Sequence, residues 1–160
     1  MDTPPRIHLT LHKLIEGCDM YEAGCLNREI ARFLARQGHT DRFMICDAGF
    51  AIPDTVHTID ISVSQDNPTI DIVIEEILKN FSVQEIIVSD SMISTSPSKL
   101  HNVRELFGEN LPCSSVPQDE LRELSKSVKF VIRTGDFTSY SNILIVSDAG
   151  NRWYEENKGS

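Results

Sequence analysis

The chain has 160 residues, 40% hydrophobic and 24% charged, which fits one globular domain large enough to bury a full core. Its net charge of −9 argues against a nucleic-acid partner, because phosphate recognition needs clustered Lys and Arg. No apolar run approaches the ~20 residues of a membrane-spanning helix, so no membrane role is expected.

Residues 1–23 mix alternating and helical apolar spacing (Ile7, Leu9, Leu11, Leu14, Ile15) and read as an N-terminal extension packed on the body of the protein. Met1–Pro5 lacks a basic segment followed by an apolar one, so no signal peptide is expected and the reading is cytoplasmic. The first clear helix starts at the N-cap Asn27, with Glu29 in its first turn and Ile30, Phe33 and Leu34 on one face. Gly38 is expected to end it as a C′ glycine. Arg42–Cys46 is an apolar strand of the kind buried on both faces. A second strand is expected over Val56–Val63, then a helix opened by Asn67 as N-cap with Pro68 at N1 and running to Phe81. Glu85–Ser89 is a third strand, and Ser96-Pro97 opens a helix ending near Phe107-Gly108. A short strand at Cys113–Val116 precedes a helix opened by Pro117. Strands over Val128–Arg133 and Asn142–Val146 flank the polar loop Thr134–Tyr140, and a polar tail follows from Asn151, with Trp153 and Tyr154 available to dock it.

Alternating strands and helices define an α/β fold, a three-layer sandwich with a mostly parallel central sheet. In such sheets ligands bind beyond the carboxyl ends of the strands. Three strand ends here carry polar groups: Asp47, Ser89-Asp90-Ser91 and Arg133-Thr134-Gly135-Asp136. None is accompanied by a glycine-rich phosphate loop, which argues against a nucleotide site. Cys18, Cys25, Cys46 and Cys113 match no C-x-x-C pattern and read as thiols of a reducing compartment. His8 and His12 are four apart without further ligands nearby, and no metal site is read from them. His39 sits in a polar turn between Asp41 and the helix end. It is either a solvated turn residue or an acid–base group, since imidazole exchanges protons near neutral pH. Asp41 and Asp47 are its candidate orienting partners, and Asp47 equally suits a loop cap. His57 alternates with apolar positions and suits the core, whereas His101 suits a helix surface. Tyr140-Ser141-Asn142 offers hydroxyls and an amide before the last strand.

Leu26–Ile30, Gly38-His39-Thr40-Asp41, Cys46-Asp47-Ala48-Gly49 with Ile52-Pro53, Val131–Gly135 and Tyr140–Ile143 together resemble the D-ribose pyranase family, the RbsD/FucU sugar mutarotases. The resemblance spans residues 24 to 146 and sets a mutarotase domain at 24–150, between the extension 1–23 and the tail 151–160. It implies interconversion of pyranose and furanose forms, or anomers, of D-ribose or a related free monosaccharide, without cofactor or metal. By position it implies that His39 is the proton donor and that Asp47, Gln118, Arg122 and Tyr140-Ser141-Asn142 bind substrate. It also implies a ring-shaped homo-oligomer, octamer or decamer, with the sugar pocket at a subunit interface. Gln118 stands where the family has a second histidine, and Arg122 where it often has lysine. Glutamine hydrogen-bonds a hydroxyl but does not exchange protons near neutral pH. The competing readings are therefore a non-catalytic sugar-binding or regulatory homologue, and a mutarotase for fucose or another sugar.

Overall fold

The computed structural model describes residues 22–156. The apolar pattern of the extension, His8, His12 and Cys18 lie outside them. Helices α1 (Arg28–Ala35), α2 (Ile70–Leu78), α3 (Asp90–Thr95), α4 (Pro97–Phe107) and α5 (Gln118–Ser125) surround a six-stranded sheet. Its strands are β1 (Arg42–Cys46), β2 (Thr58–Asp60), β3 (Val83–Ser89), β4 (Cys113–Val116), β5 (Val131–Arg133) and β6 (Ile143–Ser147), in the order β2-β5-β1-β6-β3-β4.

The sheet is mostly parallel, as the alternation of elements implies. The exception is β6, antiparallel to both β1 and β3. The connection from β5 to β6 explains this. A parallel return needs a crossover of about a dozen residues or more, usually carrying a helix. The segment Thr134–Asn142 is too short for that, so the chain must come back from the end at which β5 stops. Because β1 lies between β5 and β6, this segment arches over the carboxyl end of β1.

Successive β1 side chains enter different cores. Phe43 and Ile45 join the cluster under α1 to α4, where Ile30, Ile70, Ile74, Met92 and Val103 close over them. Met44 and Cys46 face the second cluster, covered by Leu121 of α5 and by Phe50 and Ile52 of the loop after β1. Helices thus flank the sheet on both sides, with a single helix and a loop forming the thinner layer. Fully burying each of these aliphatic side chains contributes ~1.5–3 kcal/mol, and Phe43 stacks on Phe130 with ring centroids 4.9 Å apart.

Several boundaries differ from the sequence reading for local reasons. Asn27 caps α1 by accepting from the Ile30 N–H (3.0 Å). The helix then ends at Ala35, and Gly38 is not in the left-handed region. Thr40 is (φ 71°), while Asp41 Oδ2 accepts from the Gly38 N–H at 2.8 Å. Asn67-Pro68 is a cis peptide in the loop before α2, not its cap. The Thr69 side chain makes no capping bond at the start of α2, and the Ile70 N–H is met instead by Asp136 Oδ2 at 3.0 Å. The second strand is only Thr58–Asp60, because Asp60 Oδ1 turns the chain by accepting from the N–H and hydroxyl of Ser62. Ser89 is buried and caps α3 by accepting from the Met92 N–H (3.1 Å), so this strand end opens a helix and does not reach the cleft described below. His57 is not core: it is half-exposed, stacked on Phe33 and 3.4 Å from Glu29. His101 lies on the surface of α4, beside Glu105. Cys25, Cys46 and Cys113 are free thiols, and burial pushes the Cys46 thiol well above its ordinary range. Trp153 and Tyr154 are largely exposed, at 78% and 86%.

Candidate active site

The arch over β1 builds a cleft of about 790 Å³ at the carboxyl ends of β1 and β5. Its floor is Asp47, the first residue after β1, which is only 8% exposed. The Asp47 N–H donates to Asn142 Oδ1 (3.0 Å), and Asp47 Oδ1 accepts from the Gly49 N–H (2.9 Å). Burial pushes the Asp47 carboxyl above its ordinary range, against the N–H groups of Gly49, Phe50 and Ser141 and the Asn142 side chain, which favour the charged form.

Arg133 at the end of β5 fixes the turn that follows Asp47. Its Nη2 and Nε donate to the Ala48 carbonyl (2.8 and 3.3 Å), and Nη1 reaches Asp60 Oδ2 (2.9 Å) and Ser62 Oγ (2.6 Å). Despite some burial, the Ser62 donors and Arg133 hold the Asp60 carboxyl below its ordinary range. The Thr134 hydroxyl donates to the Cys46 carbonyl (2.8 Å), stitching β5 to β1 just below the cleft. Gly135 then passes so close to the loop before α2 that a Cβ would stand 2.6 Å from the Asn67 carbonyl oxygen and nearer still to that of Ser64. Only glycine fits there.

The opposite wall comes from α5. Gln118 is its first residue, and Gln118 Oε1 is buried with no hydrogen-bond partner among the described residues. Gln118 lines the cleft, and its unmet buried acceptor costs ~1–3 kcal/mol. Arg122, one turn on, lines the same cleft with its side chain half-exposed and only a 3.8 Å contact to Asp119. Tyr140, in the left-handed region (φ 59°), and Asn142 complete the lining.

Asp47, Gln118, Arg122, Tyr140 and Asn142 therefore meet in one cleft, from three separate stretches of sequence. Ser141 does not line it. Its side chain is fully buried behind the wall, and its hydroxyl lacks a partner among the described residues. His39 lies elsewhere in the same chain. It precedes β1 whereas Asp47 follows it, and a strand of five residues spans roughly 17 Å at about 3.3 Å per residue. Neither Asp41 nor Asp47 orients the imidazole. His39 Nε2 lies 3.0 Å from Gln84 Oε1 and 3.5 Å from Asp148 Oδ1, while Asp41 is spent on the Gly38 turn. Two polar groups that the pattern alone did not single out also belong to this region. Arg133 and Asp136 were visible only as part of a polar strand end, and their roles depend on contacts with residues 60–70.

A concave polar site at the carboxyl ends of sheet strands, with carboxylate, amide, guanidinium and phenol groups converging, defines an α/β domain built to hold a small hydroxylated molecule. Residues 20–149 match the RbsD / FucU transport protein family, and the chain belongs to that family. It is 38% identical over 128 residues to a D-ribose pyranase from Halalkalibacterium halodurans, covering 80% of this chain and 97% of the relative. A D-ribose pyranase from Thermotoga petrophila is 35% identical over 131 residues, with the same coverage. The structure of Bacillus subtilis RbsD complexed with D-ribose superposes with a TM-score of 0.78 at 30% identity, covering 82% of this chain and all of that one. The fucose mutarotase from Streptococcus pneumoniae in complex with L-fucose shares the fold at a TM-score of 0.68 and 16% identity, covering 79% of this chain and 95% of that one.

Proposed function

We propose that this chain is a monosaccharide mutarotase of the D-ribose pyranase type, an isomerase that opens and recloses the hemiacetal ring of free D-ribose or a closely related sugar. The observation that carries this reading is the cleft itself, lined by the buried Asp47 and by Gln118, in a chain whose relatives are D-ribose pyranases.

Ring opening breaks the bond between the anomeric carbon and the ring oxygen. The anomeric hydroxyl gives up its proton and its oxygen becomes the carbonyl, while the ring oxygen gains a proton and becomes a hydroxyl. Reclosure on another hydroxyl, or on the other face of the carbonyl, reverses both transfers. Asp47 suits the base, because burial raises its affinity for a proton. Gln118, Arg122, Tyr140 and Asn142 fix the remaining hydroxyls, and Ser141 supports the wall from behind. His39 is the proton donor in this scheme. Since His39 and Asp47 occupy opposite ends of β1, the complete site takes His39 from a neighbouring copy. A head-to-tail interface supplies it at every site, and such an interface generates a ring where its rotation closes. The working form is accordingly a ring-shaped homo-oligomer in the cytoplasm. Residues 24–150 are its mutarotase unit, 1–23 an extension and 151–160 a tail.

The test is exchange NMR by saturation transfer on D-ribose, L-fucose and a panel of other free monosaccharides, with size-exclusion chromatography of the same sample. Faster pyranose–furanose or anomer exchange from a ring-sized particle is expected. No acceleration on any sugar, or activity from a monomer, contradicts the reading.

A further inference from the structure

We propose that the first turn of α4, through Lys99 and secondarily Ser96, positions the sugar-facing wall of the cleft from behind. For the substrate effect the proposal rests on the mutarotase reading above. Its structural half does not.

The wall is the segment Asp136–Asn142, and it has almost no regular structure of its own. Asp136 anchors it and is fully buried. One carboxylate oxygen accepts from the Ile70 N–H and from Lys99 Nζ (2.8 Å), and the other accepts from the Thr138 N–H (2.9 Å). The Asp136 carbonyl accepts from the Ala48 N–H (2.9 Å), next to Asp47. Lys99 also pairs with Asp71 of α2, and its side chain is only 11% exposed. Its ammonium therefore binds α4, α2 and the wall at one point. Despite burial, Lys99 and the Ile70 and Thr138 donors keep the Asp136 carboxyl below its ordinary range, so the anchor is charged at neutral pH. A second tie lies further along the wall, where the Ser96 hydroxyl donates to the Ser139 carbonyl (2.7 Å). From Ser139 the chain runs into Tyr140 and Asn142, which line the cleft, and Asn142 holds the Asp47 N–H. Neither Lys99 nor Ser96 lines the cleft. Each acts through the wall and is a positioning residue.

The test uses the full chain and two readouts, backbone amide hydrogen exchange without sugar and saturation kinetics for D-ribose exchange. In Lys99→Met, the Thr138, Ser141 and Asn142 amides should exchange about tenfold faster, as loss of a charge-assisted bond implies. The amides of Phe43 and Ile45 in β1 should not change. KM should rise about tenfold, with kcat held within about threefold, because the reacting groups are untouched. Lys99→Arg should recover most of both effects. Ser96→Ala removes a single partly exposed hydroxyl, folds as wild type does, and should shift the same amides and KM by about threefold. The proposal is overturned if the wall amides keep wild-type protection in both variants. It is also overturned if Lys99→Met speeds exchange evenly across the sheet with KM unmoved, the mark of a merely structural pair. If Lys99→Met does not fold, the wall amides in Ser96→Ala decide. If the wild type turns over no sugar, the mutarotase reading fails, and the amide readout alone still decides the positioning role.

Discussion

Gly135→Ala places the sharpest demand on the packing described above. The added methyl would stand 2.6 Å from the Asn67 carbonyl oxygen and 2.9 Å from its carbon, both backbone atoms. Ordinary contact begins at 3.4 Å, so the loop before α2 must retreat by at least 0.8 Å at Asn67 and further at the Ser64 carbonyl oxygen, which stands nearer still. The two segments are joined by the Asp66 N–H to the Gly135 carbonyl (2.7 Å) and by the Gly135 N–H to the Pro68 carbonyl (2.9 Å). Overpacking costs ~1–3 kcal/mol, and weakening these two bonds adds ~1 kcal/mol. A loss of about 3 kcal/mol lowers the melting temperature of a domain of this size by roughly 10 °C. Gly135 also precedes Asp136, so the cleft wall moves with it and sugar affinity falls in the surviving native protein. Differential scanning calorimetry and D-ribose titration read the two effects. A melting temperature within about 2 °C of wild type would show that the loop before α2 yields freely and that the contact places no constraint on the site.

Asp47→Asn should separate stability from activity. The folded-state proton affinity of Asp47 is raised, so its contribution to stability is fully present below the ordinary carboxylate pKa and is lost as pH rises through the folded pKa. The asparagine variant escapes that loss. At pH 7 it should melt at or above the wild-type temperature, the difference should close on acidification below the ordinary carboxylate range, and sugar exchange should be abolished. A variant that melts lower at pH 7 and converges on wild type in acid would reverse the sign. Gln118→His puts a proton-exchanging group where Gln118 Oε1 now lacks a partner, and should raise the exchange rate by on the order of tenfold near neutral pH. An unchanged rate, measured by the same saturation-transfer assay, would show that Asp47 and His39 already suffice.

The strand Arg42–Cys46 was legible because both its faces are buried, which leaves a continuous apolar run that no competing local pattern contradicts. The direction of β6 was not, because strand direction is set by the length of the preceding connection rather than by any residue in the strand. Gly38 shows how a side chain overrides a propensity. Asp41 captures the Gly38 N–H, and Thr40 takes the left-handed conformation instead. The capping of α2 by Asp136 and the clamp of Lys99 on Asp71 and Asp136 join residues far apart in the chain, so no local pattern announces them. The site was half legible. Asp47 follows from its place at a strand end, and Asn142 meets it because the arch before β6 crosses β1. His39 and Asp47 are close in sequence, which suggested contact, yet an extended strand between two residues is the arrangement that holds them apart.

Complementation between two inactive variants reaches the shared site most directly. His39→Ala keeps its own Asp47, and Asp47→Asn keeps its own His39. Purified separately, each should leave D-ribose exchange at the uncatalysed rate. Unfolded, mixed in equal amounts and reassembled, they should recover about a quarter of wild-type acceleration, since a quarter of head-to-tail contacts pair an intact cleft with an intact neighbouring histidine. A mixture as silent as its components, from particles shown to contain both chains, would contradict a site completed by His39 of a second copy.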